Sequence, residues 1–359
     1  MSANRAEAIG QFLLLEIEDE GWNASLERWL RALRPGGILL SARSLRTPET
    51  TAELLAKIAA ALPEPPLLAI EEEGGRVDPL RAFFAPLPSP RAAAGKGLKA
   101  VARAGELTGA ALKLLGFNTV LAPLLDVAPP GSEDTRTFSP DPQVVAACGK
   151  AYLDGLERHK ILACVKFFPG LGSAVVDGQS AMPLVGKTMA KLWREDLVPY
   201  RALHNRLPLV MVGHGAYKAY DFDLPRPATL SSSVVEGLLR VKLGYRGVAV
   251  ADDLTSEAIR RTVDAQEAAV KSLNAGCDLL RVDGSKEKTA AAVLDGLKRG
   301  LETGKITAAR AKEAAARLQR IRKVFVPTRA KFPHRDFDRL ACEFEKFAGE
   351  FRSQGEKIA

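Results

Sequence analysis

Cysteine is scarce in this chain of 359 residues, and the positions of its cysteines exclude two common ways of bracing a fold. Cys148, Cys164, Cys277 and Cys342 stand far apart, without a Cys-x-x-Cys pair or Cys/His ligand spacing. That pattern favours neither a structural zinc site nor a disulfide framework. Cys164 and Cys277 lie in apolar runs, so we expect both side chains in the core.

Long apolar runs are also missing. No window approaches the roughly 20 apolar residues of a membrane-spanning helix. The apolar run near the N-terminus is only about four residues long and is bordered by acids, unlike a signal peptide. With 47% hydrophobic residues, the chain can still bury a sizeable core. The sequence therefore predicts a soluble, cytoplasmic, globular protein.

The chain is basic, but its charge is dispersed. The formal charge is +8, from 51 basic and 43 acidic residues, and the densest basic stretch is residues 317–335. Basic residues on such a late helical segment are typical of a solvated face. Since no basic segment is interleaved with aromatic residues, we expect no nucleic-acid partner.

Short apolar runs recur along the chain and predict buried strands. The eight runs cover residues 11–17, 36–41, 66–71, 118–126, 161–168, 208–214, 247–253 and 277–282. Amphipathic segments of helical period lie between them, as in residues 47–62, 98–116, 231–244 and 285–304. Eight alternating strand and helix units predict an α/β fold, a (β/α)₈ TIM barrel.

The pattern changes towards the C-terminus. Residues 1–325 hold the eight units, and residues 326–359 form a charged amphipathic segment. We expect the second range to be a helical extension that packs on the barrel, and we find no pattern of a second domain.

Polar residues directly follow successive apolar runs. The carboxyl ends of parallel barrel strands meet at one end of the barrel, where TIM-barrel enzymes carry their functional residues. The residues at these ends are Glu71, Asp126, Lys166, His214, Asp252 and Asp253. Any one of them could be a loop or helix cap, but their shared position predicts a functional site.

Six motifs, in order along the chain, carry a family resemblance. They are IEEEGGRV (70–77), LAPLLDV (121–127), RTFSPDPQVV (136–145), KFFPGLG (166–172), PATLSSSVVEGLLRVKLGYRGVAVADDL (227–254) and NAGCDLLRV (274–282). Together they closely resemble the single-domain β-N-acetylglucosaminidases, or β-N-acetylhexosaminidases, of glycoside hydrolase family 3. The resemblance covers residues from about 8 to about 325, and it also implies a TIM barrel.

The resemblance implies roles for several of these residues. Asp252, in ADDL, matches the family's nucleophile, which attacks the anomeric carbon in a retaining double displacement. Asp253 would be a structural neighbour. Arg136 and Lys166 match residues that hold the sugar, and Glu71 stands where the family has an aspartate that binds it.

The loop KFFPGLGSAVVDGQS (166–180) departs from the family pattern. The family's loop is approximately KHFPGHGDTxxDSH, and its last histidine, held by the aspartate two residues before it, is the general acid/base. Phe167, Leu171 and Gln179 replace the three histidines here. A glutamine amide has no pKa near neutrality and cannot protonate a leaving oxygen. Asp177 remains where the orienting acid belongs, and we keep it as a catalytic candidate and Gln179 as a substrate contact.

None of the chain's four histidines replaces the proton donor that is missing from the loop. His159, His204 and His334 lie outside the loop, and His214 ends a strand at the functional end of the barrel. We interpret His214 as a substrate-side residue behind the direct contacts, in preference to a proton donor.

Two classes of function stay open at the sequence level. The first is a hydrolase of terminal β-linked N-acetylhexosamine or a related hexose, with Asp177 or an activated leaving group in place of the histidine. The second is a catalytically silent barrel that binds a saccharide or muropeptide fragment. A lesser alternative is a glycosyl transferase or phosphorylase, because phosphate needs less base assistance than water and would be drawn to a basic surface. The retained Asp252 favours an enzyme. We expect no cofactor or metal, and the sequence predicts no oligomeric state.

Overall fold

A closed barrel of eight parallel strands forms the centre of the computed structural model, which describes residues 9–18, 21–176, 182–221, 225–284, 287–323 and 332–352. The strands within these ranges are β1 (Leu13–Ile17), β2 (Gly37–Leu40), β3 (Leu67–Ile70), β4 (Thr119–Val120), β5 (Leu162–Phe168), β6 (Val175–Val176), β7 (Pro183–Val185), β8 (Leu209–Val212), β9 (Ala216–Tyr217), β10 (Val248–Ala251) and β11 (Leu279–Asp283). The barrel order is β1-β2-β3-β4-β5-β8-β10-β11, closing on β1. Each of the eight predicted runs supplies one barrel strand, so the predicted TIM barrel is confirmed.

The barrel strands are apolar on both faces because each packs inward on the barrel core and outward on helices. Ile38, Val210 and Val250 have no exposed surface. Cys164 and Cys277 are also fully buried, as the sequence predicted.

Helices surround the barrel. They are α1 (Ala24–Leu33), α2 (Pro48–Ala61), α3 (Pro90–Lys96), α4 (Leu98–Leu115), α5 (Pro142–Glu157), α6 (Met189–Arg194), α7 (Val198–Leu203), α8 (Ser233–Lys242, π-helical), α9 (Glu257–Arg260), α10 (Ala265–Ala275), α11 (Glu287–Glu302), α12 (Ala308–Arg322) and α13 (His334–Arg352). The four helices expected from periodicity are α2, α4, α8 and α11. Within the described ranges, no helix combines the length and the apolarity that crossing a membrane requires.

Local sequence signals fix where these helices begin and end. The Thr47 hydroxyl accepts a hydrogen bond from the Thr50 backbone N–H, and the Thr50 hydroxyl accepts one from the Thr47 N–H, so a capping box starts α2. Gly116 ends α4 with a φ of 99°, a left-handed conformation that glycine adopts without steric cost. The strands that carry the site are therefore held between helices with defined ends.

A small second sheet lies beyond the carboxyl ends of β5 and β8. In it β6 pairs antiparallel with β7, and β7 pairs parallel with β9. Sequence periodicity missed this sheet because strands of two or three residues are too short to show alternation.

The C-terminal helix α13 packs against α4 through an apolar face. Leu340, Phe344, Phe347 and Phe351 are buried, and the Phe344 ring stacks on Phe84 with centroids 4.5 Å apart. This is the amphipathic helix that the sequence predicted. The boundary predicted between residues 325 and 326 falls outside the described residues and stays a prediction.

Candidate active site

The carboxyl ends of the barrel strands gather charged side chains at one end of the barrel, which we call the mouth. One charged residue lies on each of β1, β5 and β11. Two more follow β3, one follows β10, and one precedes α5. This mouth cluster consists of Glu16, Glu71, Glu73, Arg136, Lys166, Asp252 and Arg281. It holds four carboxylates against three cations.

Lys166 is the least exposed member of the mouth cluster. Its side chain has no exposed surface, and its Nζ donates to Glu71 Oε1 at 3.0 Å and to Glu73 Oε1 at 2.7 Å. Burial alone would lower the pKa of Lys166, but the carboxylates of Glu71 and Glu73 outweigh burial and raise it. Lys166 is therefore a fixed cation.

Arg136 completes the pairing of Glu73. Its Nε and Nη2 donate to the two Glu73 oxygens at 2.7 and 2.8 Å, a bidentate pair. Hydrogen bonding to Glu73 raises the pKa of Arg136 further. The two predicted sugar-holding cations, Arg136 and Lys166, thus meet through Glu73. The sequence interpretation missed Glu73, although it stands within the IEEEGGRV motif.

Glu71 contacts two cations at once. Its Oε1 accepts from Lys166 and also from Arg281 Nη1 at 3.2 Å. Burial would raise the pKa of Glu71, but the attraction of Lys166 and Arg281 prevails and lowers it to about 2. Glu71 is therefore ionised at neutral pH and can accept a hydrogen bond from a hydroxyl group.

Asp252 follows β10 at the mouth, and its side chain is 20% exposed. Its Oδ1 accepts from the Asp253 backbone N–H at 2.8 Å and from Arg281 Nη1 at 3.4 Å. The neighbouring Asp253 carboxylate instead accepts from the backbone N–H and the hydroxyl of Thr255. The two aspartates therefore differ: one faces the cluster, and the other shapes the turn.

His214 lies behind this turn, and it is buried. Its Nε2 is 2.8 Å from the Asp253 carbonyl, and its Nδ1 is 2.9 Å from the Thr229 hydroxyl. Because a carbonyl only accepts, Nε2 donates to it, and Nδ1 pairs with a hydroxyl that can donate or accept. Both nitrogens are engaged in supporting the turn, a position that fits a residue behind the direct contacts.

Asp126, after β4, ties down the start of the 166–180 loop. Its Oδ1 accepts from the backbone N–H groups of Leu171 at 2.9 Å and Phe167 at 3.4 Å. Burial raises the pKa of Asp126 to about 7, although these two N–H groups oppose the shift. A Cβ added at Gly215 would collide with Leu171 at 2.6 Å, and one added at Gly213 would lie tightly against Phe167 and Leu171 at 3.1 and 3.2 Å. Phe167 and Leu171, which stand at two of the three positions where the family has histidines, therefore fill space next to the end of β8.

Two of the predicted site residues, Asp177 and Gln179, lie outside the described residues. Their roles stay predictions from the sequence. Among the residues that the structure describes, no group of three or more His, Cys, Asp or Glu side chains is arranged to hold a metal ion.

A cleft of about 410 Å³ opens beside the mouth cluster and shares Glu16 and Glu71 with it. Its volume lies within the range of roughly 300–1,000 Å³ that is common for ligand sites. Arg76 and Arg81 also line it; Arg76 pairs with Asp134 at 3.2 Å. The cleft is large enough to admit a ligand to the charged residues at the mouth.

Charged residues at the ends of the first and last barrel strands escaped the sequence interpretation. Glu16 and Arg281 each interrupt an apolar strand, in LLLEI and LLRVD. That interruption was the available signal, since a charge inside a buried strand must find a partner.

Comparisons with known proteins agree with this architecture. The family model of the glycosyl hydrolase family 3 N-terminal domain matches residues 6–321. A β-hexosaminidase from Pseudomonas aeruginosa is 32% identical over 292 residues, which span 80% of this chain and 87% of that protein. A solved glycoside hydrolase family 3 β-N-acetylglucosaminidase from Paenibacillus is 28% identical with a TM-score of 0.84, covering 97% of this chain and 69% of that one. A solved family 3 glycosyl hydrolase from Mycobacterium smegmatis is 29% identical with a TM-score of 0.77, covering 92% and 98%.

The raised pKa of Asp126 predicts a pH-dependent stability that Asp126→Asn removes. A folded-state pKa of about 7, above the ordinary 3.8, gives a stabilisation that is complete below pH 4 and is lost as pH rises towards 7. The free energy of unfolding of the wild type, relative to Asp126→Asn, should therefore fall over this window by about 1.4 kcal/mol per unit of pKa difference. Urea unfolding of both proteins from pH 4 to pH 8 measures it. A difference that does not vary with pH would contradict the assignment.

Proposed function

The chain belongs to glycosyl hydrolase family 3, and on that premise we propose that it is a retaining glycosidase of terminal β-linked N-acetylhexosamines, with Asp252 as nucleophile. The observation that carries the proposal is the partly exposed carboxylate of Asp252 beside ion-paired Glu71 at the mouth of the barrel. The names of the β-hexosaminidase and β-N-acetylglucosaminidase relatives support the choice of sugar.

The other members of the mouth cluster would hold the sugar. Arg136 and Lys166 carry N–H donors, and ionised Glu71 is an acceptor, so together they suit the hydroxyl groups of a pyranose. Mutual ion pairing already fixes these side chains. A preorganised site spends little binding energy on ordering its own residues.

The reaction would proceed in two displacements. In the first, an Asp252 oxygen bonds to the anomeric carbon as the bond to the leaving oxygen breaks, and the electron pair leaves with that oxygen. In the second, water bonds to the anomeric carbon, the ester bond breaks with its electron pair returning to Asp252, and the water's proton passes to a base. Because Gln179 cannot carry a proton, either Asp177 takes part in the proton transfers or the reaction depends on an activated leaving group.

A catalytically silent saccharide- or muropeptide-binding protein is the second candidate. The apolar side chains of Phe167 and Leu171 favour it, since they fill space where the family has histidines. Neither side chain can hydrogen-bond to a sugar or move a proton. Three experiments separate the two candidates. They vary the leaving group, replace Asp252, and restore histidine at positions 167 and 179.

We predict that turnover depends strongly on the acidity of the leaving group. Without a competent acid, the departing oxygen carries negative charge in the transition state. A nitrophenyl N-acetyl-β-glucosaminide should therefore react faster than a natural disaccharide. General acid catalysis contributes roughly 10²- to 10⁴-fold, so we expect a rate difference of at least about 10²-fold. A series of aryl glycosides with graded phenol acidity measures this dependence. Equal rates on the two substrate classes would mean that another residue protonates the leaving oxygen.

We predict that Asp252→Ala abolishes glycosidase activity and leaves the fold intact. The side chain is partly exposed at the mouth, and its loss leaves the packed barrel core unchanged. Initial rates on the nitrophenyl glycoside and thermal unfolding test the two halves of this statement. Glu53→Gln, at an exposed acid on α2, is the matched control and should keep full activity. Full turnover by Asp252→Ala would eliminate Asp252 as the nucleophile.

We predict that the double change Gln179→His with Phe167→His raises hydrolysis of poorly activated substrates by about tenfold or more. Asp177 stands two residues before position 179, and a carboxylate at that spacing would hold the new imidazole and favour its charged form. Phe167→His alone is the control, because it adds a histidine without a proton donor at position 179. If N-acetylglucosamine binds to the double variant by calorimetry and hydrolysis still does not rise, the silent binding protein is the better assignment.

A further inference from the structure

Arg281 occupies a central place in the mouth cluster. It lies on β11 between Leu280 and Val282, which are fully buried, and its own side chain is only 13% exposed. Its Nε and Nη2 donate to Glu16 Oε2 at 3.1 and 2.8 Å. This double contact anchors the guanidinium and leaves Nη1 directed at the remaining carboxylates.

One nitrogen of Arg281 serves two residues of the proposed site. Nη1 is 3.2 Å from Glu71 Oε1 and 3.4 Å from Asp252 Oδ1. Burial alone would lower the pKa of Arg281, but the carboxylates of Glu71, Asp252 and Glu16 outweigh it and raise the pKa above its ordinary value. A permanent positive charge therefore lies beside the proposed nucleophile.

We propose that Arg281 is a positioning residue that controls the breakdown of the glycosyl-enzyme by keeping a positive charge beside Asp252. The inference rests on the proposed function, because it assumes that Asp252 forms a covalent ester. It adds a role for a side chain that makes no direct bond to the anomeric carbon.

The charge of Asp252 changes during each displacement, and Arg281 responds to that change. When the ester bond to the anomeric carbon forms, the Asp252 oxygen loses its negative charge and the attraction to Arg281 is lost. When water attacks, the ester bond breaks and its electron pair returns to Asp252. A fixed cation beside that oxygen stabilises the returning charge in the transition state. Arg281 therefore slows formation of the ester and speeds its hydrolysis.

The remaining contacts let Arg281 be removed without dismantling the site. Glu71 keeps its contact with Lys166 at 3.0 Å. Burial already raises the pKa of Glu16, and Arg281 is the main group that opposes this. Without Arg281, Glu16 can take up a proton, so Arg281→Met does not leave an unpaired charge in the barrel. The methionine retains most of the apolar stem.

Two variants separate the charge of Arg281 from its structural contact. Arg281→Met and Glu16→Gln both break the ion pair between β1 and β11, but only Arg281→Met removes the cation beside Asp252. Arg103→Met, which breaks an ion pair between α4 and α13 outside the mouth, is the control for loss of a part-buried arginine.

The experiment follows hydrolysis of the ester directly. Each protein is labelled with a mechanism-based fluorosugar of the N-acetylglucosamine configuration, freed of excess reagent, and followed by intact mass and by return of activity on the nitrophenyl glycoside. Arg281→Met should lose the label about tenfold or more slowly than the wild type, the size expected for loss of one transition-state charge contact. It should label at least as fast. Glu16→Gln and Arg103→Met should lose the label at rates close to that of the wild type.

Each other outcome decides against the proposal. If the wild type turns over but Arg281→Met loses the label at the wild-type rate, Arg281 has no role in ester breakdown and only this inference fails. If Arg281→Met and Glu16→Gln slow equally, the contact between strands matters and the charge does not. If the wild type neither turns over nor takes label at Asp252, the proposed function fails and this inference fails with it. Should Arg281→Met not fold by circular dichroism, Arg281→Gln takes its place in the same comparison.

Discussion

The burial of one ammonium group is the constraint on which the barrel mouth depends. A lysine charge taken out of water costs several kcal/mol unless oppositely charged groups compensate, and Lys166 has no exposed surface. Glu71 and Glu73 supply that compensation. Glu73 is itself buried, so it requires a second cation, and Arg136 meets it with two hydrogen bonds. Glu71 shares a guanidinium of β11 with Asp252. These ion pairs connect the buried Lys166 to Asp252, the residue that matches the family's nucleophile.

The fold was largely predictable from sequence because the barrel repeats one simple pattern eight times. Buried parallel strands are continuous apolar runs, and each of the eight runs contains a barrel strand, although β11 extends one residue beyond its run. The sheet of β6, β7 and β9 was not predictable, since its strands hold two or three residues and depend on pairing between distant loops. Short segments of this kind take their conformation from tertiary contacts, and their own sequence carries no periodic signal.

Sequence reasoning identified Glu71, Lys166 and Asp252 in the candidate site, and it missed Glu73, Glu16 and Arg281. Glu71, Lys166 and Asp252 stand at or just after the ends of apolar runs, so strand position and family resemblance both indicated them. Glu16 and Arg281 lie within mostly apolar strands, LLLEI and LLRVD. Glu16 and Arg281 contact each other although they lie 265 positions apart in the chain. Only the pairing of the first and last barrel strands brings them together. No local pattern reports a contact of that kind.

The two ends of the barrel use buried charge in different ways, and the difference bears on function. At the amino end, the buried carboxylate of Asp278 accepts from Arg240, Arg310 and Arg317 and from a backbone N–H. Its oxygens are fully used in holding β11 to its neighbours. At the mouth, four carboxylates pair with three cations, so negative charges outnumber positive charges by one. The carboxylate oxygens therefore keep some capacity to accept further hydrogen bonds. Hydroxyl groups are the neutral donors that such an excess can bind without adding charge. The amino end is therefore built for stability, whereas the mouth retains acceptor capacity that suits a polyhydroxylated ligand.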